Sequence, residues 1–453
     1  MIPGERVNWL KMGGWLLALA VFGGLCFYWS RPQQVLTRGI VAAAKRFPEY
    51  DDRWAGQIRE LAGRYVRALL QNRPDREMNR LAVVAVAEGC RDPFVRYLRL
   101  KRVFEFQMVG DESLAREGWS IQRELEECEY PVFLRAYSAS RALDVWDFAF
   151  AQERRERNVR LQLHALSWRH TMEVIRDGNS SETLVRPLCD LLDDYFRTPG
   201  ESRVDAWRRI DAALEARFGD CATIHFLRGR RAIRLGWEAR GHGYASTVTR
   251  EGWAKLGQEL LVARRELELA WKLDPKDPQT AEKMITVCLG QGTSRAEMEE
   301  WFQRGLSTGR DCSDLCSNKI YWLAPRWYGS DLEQREFARE CLARPEWGNR
   351  VALNLWSIHS DRQDVGKLPV SYFAQPEVWA DIKQSFEAFF RRNPDAYSWH
   401  VRFAYHAWLA KDWEVLRREI ALGDPARSNL ERIGGREVYE RMAADAKALG
   451  SGP

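Results

Sequence analysis

Trp253, Leu256, Leu260, Ala263, Leu267 and Ala270 recur at spacings of 3, 4, 3, 4 and 3, which lines them along one face of a long α-helix, a stripe expected to be buried. From Val35 onward the chain reads as helix after helix, broken by short Pro, Gly and Asp clusters, with no convincing strand alternation. Its 32 Gly and 17 Pro in 453 residues are too few for a many-turned β sandwich or barrel, and the Leu/Ala/Arg/Glu-rich runs favour helices. The fold class is therefore expected to be all-α. Several helix starts have a local mechanism. Asp92-Pro93 supplies an N-cap acceptor with Pro at the first helical position, and Ser294-x-x-Glu297 and Ser330-x-x-Glu333 are capping boxes.

Ala263, Leu267, Ala270 and Pro275 match the second helix of a tetratricopeptide-type helix pair, A-x3-F-x2-A-x4-P, with Leu for Phe. The next repeat then starts at Pro278, with Gly292 in its turn and Trp301 at the aromatic place, while Glu297 and Arg304 depart from the template. Gly229, taken as the Gly place of the preceding first helix, puts the turn at residue 236, whereas Ala263 puts it at 258, 22 residues later. An insertion over Trp237–Gly252 reconciles the two frames. Trp237/Trp271, Trp322/Trp356 and Trp379/Trp413 are each 34 apart, which is the tetratricopeptide period.

The strings Trp237-Glu238-Ala239-Arg240-Gly241-His242-Gly243-Tyr244-Ala245 and Pro325-Arg326-Trp327-Tyr328-Gly329-Ser330, with Val248, Trp253 and Leu273-Asp274-Pro275 between them, resemble uncharacterised bacterial tetratricopeptide-like proteins over about residues 205–345. The resemblance implies a fold and carries no activity. The expected architecture is a tetratricopeptide-like α-solenoid of helix pairs preceded by one N-terminal transmembrane helix. Its expected layout is a tail at 1–11, the transmembrane helix at 12–30, an N-terminal helical region at 31–200, helix pairs with the inserted loop 237–252 at 201–310, and C-terminal repeats at 311–453. Looser segments near Asp177–Glu182, Thr198–Arg203 and His359–Gln375 are candidate seams.

Met12 to Ser30 are 19 uncharged residues, about 29 Å as a helix and close to a bilayer core. Trp15, Tyr28 and Trp29 stand at its edges, as in an interfacial belt. The expectation is a single-pass membrane protein; a cleaved signal peptide is the rival, disfavoured because Ala18-Leu19-Ala20 lies inside the apolar run. Flanking charges do not choose the orientation cleanly, and export of the rest is the preferred reading. The 69 Lys+Arg and 64 Asp+Glu are interleaved, so the +5 net charge describes a mixed surface and no nucleic-acid footprint. The nine Cys are scattered and odd in number, more like core residues than a disulfide framework.

No phosphate-binding loop, dinucleotide fingerprint, nucleophile elbow or H-E-x-x-H helix is present. Cys312 and Cys316 could share a helical face, but no second pair accompanies them, so no metal and no cofactor are expected. Two spots carry a functional expectation. Arg240, His242 and Tyr244 surround glycines in the insertion, and Arg326, Trp327 and Tyr328 could clamp a peptide by cation–π and aromatic contacts. The expected function is a membrane-anchored, non-enzymatic scaffold that offers a Trp/Arg-rich groove to an unknown protein or peptide partner. The alternative is a membrane-tethered enzyme or small-ligand receptor with its pocket between the 237–252 loop and the 325–330 turn, marked by titratable groups within about 4 Å of each other.

Overall fold

The computed structural model describes residues 33–71, 75–107, 112–150, 157–195, 202–241, 243, 245–366, 368–394, 396–425, 428 and 430–448. All regular structure among them is helical, with no strand, as the apolar periodicity requires. The expected membrane-spanning helix needs correction: among the described residues no helix is long and apolar enough to cross a membrane. Residues 12–30 lie outside the described residues.

The chain divides into two units, one holding residues 1–101, 116–143 and 157–188 and the other 102–115, 144–156 and 189–453. The main break therefore falls after Leu188, inside a helix, and not at the looser segment near residue 200.

In the first unit the helices are α1 (33–44), α2 (Ala55–Gln71), α3 (Arg76–Ala87), α4 (Pro93–Gln107), α5 (Glu112–Glu127), α6 (Val132–Ala149), α7 (Arg157–Arg176) and α8 (Glu182–Tyr195), the last of which, like α4, α5 and α6, also has residues in the second unit. Asp92 caps α4 by accepting from the backbone N–H of Phe94 and Val95, and also accepts from the Tyr130 hydroxyl at 2.8 Å. The Tyr65 and Tyr97 hydroxyls meet at 3.2 Å between α2 and α4, and Ser140 and Ser167 meet at 2.7 Å between α6 and α7. These buried hydroxyls thus find partners far along the chain.

The second unit is α-solenoid-like. After α9 (Arg203–Phe218) come α10 (Ala222–Arg240) and α11 (Arg250–Leu273), α12 (Pro278–Gln291) and α13 (Arg295–Ser307), α14 (Ser313–Trp322) and α15 (Asp331–Ala343), α16 (Asn354–Gly366) and α17 (Pro376–Phe390), α18 (Tyr397–Ala410) and α19 (Trp413–Leu422), and finally α20 (Arg436–Ala448). Each helix packs on its sequence neighbour, and the even-numbered helices α10, α12, α14 and α16 also pack on one another. Gly229 makes the first pair close. A Cβ there would stand 2.6 Å from Leu267 Cγ and 3.3 Å from the Ala263 carbonyl. Asp277-Pro278 opens α12, and Ser294 and Ser330 accept from Glu297 N–H and Glu333 N–H at the starts of α13 and α15.

Three expectations change on packing. Both ends of the insertion are helix: α10 and α11 have 19 and 24 residues against 14 and 13 in the next pair. Only Gly241–Thr249 connects them, so residues 237–240 and 250–252 of the expected loop are helical. The break expected over His359–Gln375 begins later, since α16 runs on to Gly366. His359 sits inside α16, buried, with Tyr372 and Asp381 as partners. Of the Trp pairs 34 apart, only Trp379 and Trp413 occupy like places, near the starts of α17 and α19; Trp237 and Trp271 lie on first and second helices of a pair, and Trp322 and Trp356 at opposite ends of theirs.

Candidate functional site

The segment that ends α10 and the turn that follows α14 are brought together. The Trp237 and Trp327 rings meet edge to face, 6.0 Å apart and at 86°. From this contact the rings continue: Trp327 to Tyr321 at 5.9 Å, Trp327 to Tyr328 at 6.5 Å, and Tyr328 to Trp322 at 5.1 Å. On the other side the Arg240 guanidinium lies over both Trp237 and Trp253, 5.7 and 5.3 Å from their centroids. The result is a stripe of aromatic rings with guanidinium groups set on it.

The turn Pro325–Ser330 has a local physical reason at each step. Tyr328 donates its hydroxyl to the Leu289 carbonyl at 2.9 Å, satisfying an acceptor in the last turn of α12 that has no helical N–H to pair with. At Gly329 a Cβ would come within 2.4 Å of the Leu323 carbonyl oxygen, so the chain passes only with glycine there. Ser330 then caps α15. Much of this string is therefore spent on closing the turn.

Each expected site residue can be placed against this geometry. Arg240 donates Nη1 to the Gly241 and Gly243 carbonyls at 3.0 and 2.8 Å, pinning the loop. His242 and Tyr244 lie outside the described residues. Arg326 stacks over Tyr321 at 4.8 Å and forms a two-pronged pair with Asp361 at 2.9 and 3.2 Å. Both guanidiniums are thus already engaged, so the stripe presents aromatic faces more than free charge. Trp327 is half-buried packing between Trp237 and Tyr321, not a projecting anchor. The rings left facing solvent are Trp253, Tyr321 and Tyr328, at 41%, 43% and 42% exposure. Burial raises the Tyr328 phenol above its ordinary pKa, so it stays a donor at neutral pH.

Two of these exposed rings were missed in the sequence. Trp253 sits in register with the buried stripe of α11 but remains open, with only the Arg240 guanidinium shown over its ring. Tyr321 has no distinguishing local pattern. Its only signal is the density of aromatic residues over 321–328. Near the stripe, the indole N–H groups of Trp237, Trp322 and Trp327, and Arg240 Nε, are buried without a hydrogen-bond partner, an arrangement that costs stability.

Between the 237–252 segment and the 325–330 turn the Trp237 and Trp327 rings meet. Titratable groups converge elsewhere in this unit. His359 Nδ1 is 2.9 Å from the Tyr372 hydroxyl and Nε2 is 3.1 Å from Asp381, which also receives Arg339 at 3.0 Å and Arg335 at 3.4 Å. Burial lowers the His359 pKa, keeping the ring neutral, able to accept from Tyr372 and donate to Asp381. The adjoining cavity, lined by Asp331, Gln334, Arg335, Ile358, His359 and Arg362, is about 10 Å³, close to the volume needed for about one water and far too small for a substrate. This network holds α15, α16 and α17 together.

Cys312 and Cys316 do not act as a pair. The Cys312 thiol points to the Gly305 and Arg310 carbonyls at 3.4 Å, and Cys316 interacts with Cys341, an interaction that with burial pushes its thiol far above the usual range. No cluster of three His, Cys, Asp or Glu that could hold a metal ion occurs among the described residues. Compared with known proteins, the chain matches no family model, no curated protein and no solved structure.

Proposed function

We propose that this chain is a non-catalytic helical-repeat scaffold of the tetratricopeptide-like kind, and that it binds a protein or peptide partner along the aromatic stripe of its second unit. The observation that carries the reading is the exposure of Trp253, Tyr321 and Tyr328, three rings tied into one stripe through Arg240, Trp237 and Trp327. Flat, rigid aromatic faces supply large contact area at small entropic cost. Because Arg326 is paired to Asp361 and Arg240 to two carbonyls, the favoured ligand is a segment bearing apolar, aromatic or proline side chains rather than an acidic one.

The test is cross-linked affinity capture of the full chain from its native cells, comparing wild type with Trp253→Ala/Tyr321→Ala. Both side chains are exposed, so the double variant keeps its fold, at a cost of about 1 kcal/mol or less per site. Loss of the same captured partner from the variant supports the stripe. Equal capture by wild type and variant refutes it.

A further inference from the structure

The first unit contains a trough of about 550 Å³, open to solvent and lined by Gln33, Gln34, Thr37, Arg38, Val41, Ala42, Lys45, Arg59 and Gly63. Seven of these residues come from α1 and its immediate end, at 33/34, 37/38, 41/42 and 45. That four-residue spacing is one face of a helix, about 18 Å long at 1.5 Å per residue. Arg59 and Gly63 belong to α2. The trough thus runs between two neighbouring helices, the geometry into which a third helix packs its ridge of side chains.

Its chemistry is one-sided. Three of the nine lining residues are cations and none is an acid. Neighbouring arginines are paired, Arg46 with Glu129, Arg53 with Asp51 and Arg64 with both Glu60 and Asp75. Arg38, Lys45 and Arg59 form no ion pair among the described residues. Val41 and Ala42 lie between Arg38 and Lys45, and at Gly63 an added Cβ would meet nothing within 4 Å, so the floor is apolar and open.

We infer that this trough is the docking site for an acidic amphipathic helix of a partner protein. Arg38 and Lys45 are seven residues apart, two helical turns or about 10.5 Å, which exceeds the reach of a single phosphate or carboxylate. A helix with carboxylates at the same seven-residue spacing meets both, sets an apolar stripe on Val41, Ala42 and Gly63, and brings its other flank to Arg59. The surface is independent of the aromatic stripe, so variants in α1 and α2 and variants of Trp253 and Tyr321 test separate proposals.

The probe is a fluorescein-labelled helical peptide of about 18 residues with a leucine stripe and flanking glutamates at seven-residue spacing, titrated with the full chain and read by fluorescence anisotropy. A control peptide carries lysine for every glutamate. The expected result is saturable binding of the acidic peptide, at least ~10-fold tighter than the control. Gly63→Trp, which fills the floor, and Arg38→Glu/Lys45→Glu, which inverts the rim, are each expected to weaken it by at least ~10-fold. Both variants should keep the wild-type far-ultraviolet circular dichroism. Absence of saturable binding, equal binding of the two peptides, or indifference to both variants overturns the proposal. So does displacement of the peptide by tripolyphosphate at concentrations comparable to unlabelled peptide, because that would make the trough a simple anion site.

Discussion

Gly229 and Gly257 lie in the two helices of one pair, and the structure predicts opposite signs for the same substitution. An alanine Cβ at Gly229 would stand 2.6 and 2.9 Å from Leu267 Cγ and Cδ2, about 1 Å inside ordinary carbon–carbon contact. Leu267 is fully buried and has no room to withdraw. Overpacking of this kind costs about 1–3 kcal/mol. Replacing a mid-helix glycine returns about 0.8–1 kcal/mol, so Gly229→Ala should destabilise by roughly 0–2 kcal/mol. Gly257 faces solvent, with nothing within 4 Å of its added Cβ. Gly257→Ala should therefore stabilise by about 0.5–1 kcal/mol. The assay is equilibrium urea unfolding followed by helical circular dichroism. In a double-mutant cycle with Leu267→Ala, the Gly229 substitution should become favourable, with a coupling of about 0.5–3 kcal/mol. Equal stabilisation by Gly229→Ala and Gly257→Ala would show that α10 and α11 do not approach as described, and with it remove the placement of Trp237 at the start of the aromatic stripe.

Arg231→Met should cost about 3–5 kcal/mol in urea unfolding, because it strands the buried Asp193, held by Nε and Nη2 at 2.9 Å each, and releases Asp211. A loss below about 1 kcal/mol would refute the burial of this network. His406, buried and accepting from the Trp356 indole at 2.9 Å, is pulled down to a pKa of about 3 by desolvation, with smaller effects from Arg402 and His359. Its folded pKa lies below the unfolded value of about 6.5, so the stability it contributes is whole above pH 6.5 and lost as pH falls toward 3. The loss is about 1.4 kcal/mol per pH unit, and His406→Gln should flatten the acid limb of stability against pH in that window; an unchanged slope counts against the burial. Cys90, Cys128, Cys189, Cys221, Cys288, Cys312, Cys316 and Cys341 are all buried free thiols, with Cys90 and Cys312 raised to about 11 by burial. Peptide mapping after iodoacetamide treatment at about pH 8 should find these eight positions unmodified until denaturant is added. Rapid labelling of any of them in the folded chain would place that thiol at the surface.

The helices themselves were largely legible, because their signals are local. Ser294, Ser330 and Asp92-Pro93 sit where backbone N–H groups need acceptors, and the 3/4 spacing from Leu256 to Ala270 marks the face that α11 buries. Pairing of Gly229 with the Ala263/Leu267 face was legible for a related reason: small residues on facing helices permit close approach. The candidate site was legible only in part. Arg240, Arg326, Trp327 and Tyr328 do converge through Trp237, but the sequence could not tell which rings would be buried. Trp253 shares the period of a buried stripe and is exposed, whereas Trp327 looks like an anchor and is half-buried packing.

Sequence alone thus determined an all-α fold class, the helix starts at Pro93, Pro278, Ser294 and Ser330, and one helix pair, since period and capping act within a few residues. The tertiary structure decided the rest. It turned the two ends of an apparent loop insertion into longer helices, because residues 237–240 and 250–252 gain more by extending the packed pair than by crossing as a loop. It set His359 between Tyr372 and Asp381 inside a helix where the sequence shows a seam, and gave Cys316 to Cys341 rather than to Cys312. It also left Arg38, Lys45 and Arg59 facing an open trough while arginines of similar local sequence found carboxylates. In each case the deciding partner lies far along the chain, and residues alike in local pattern are sorted only by what packs against them.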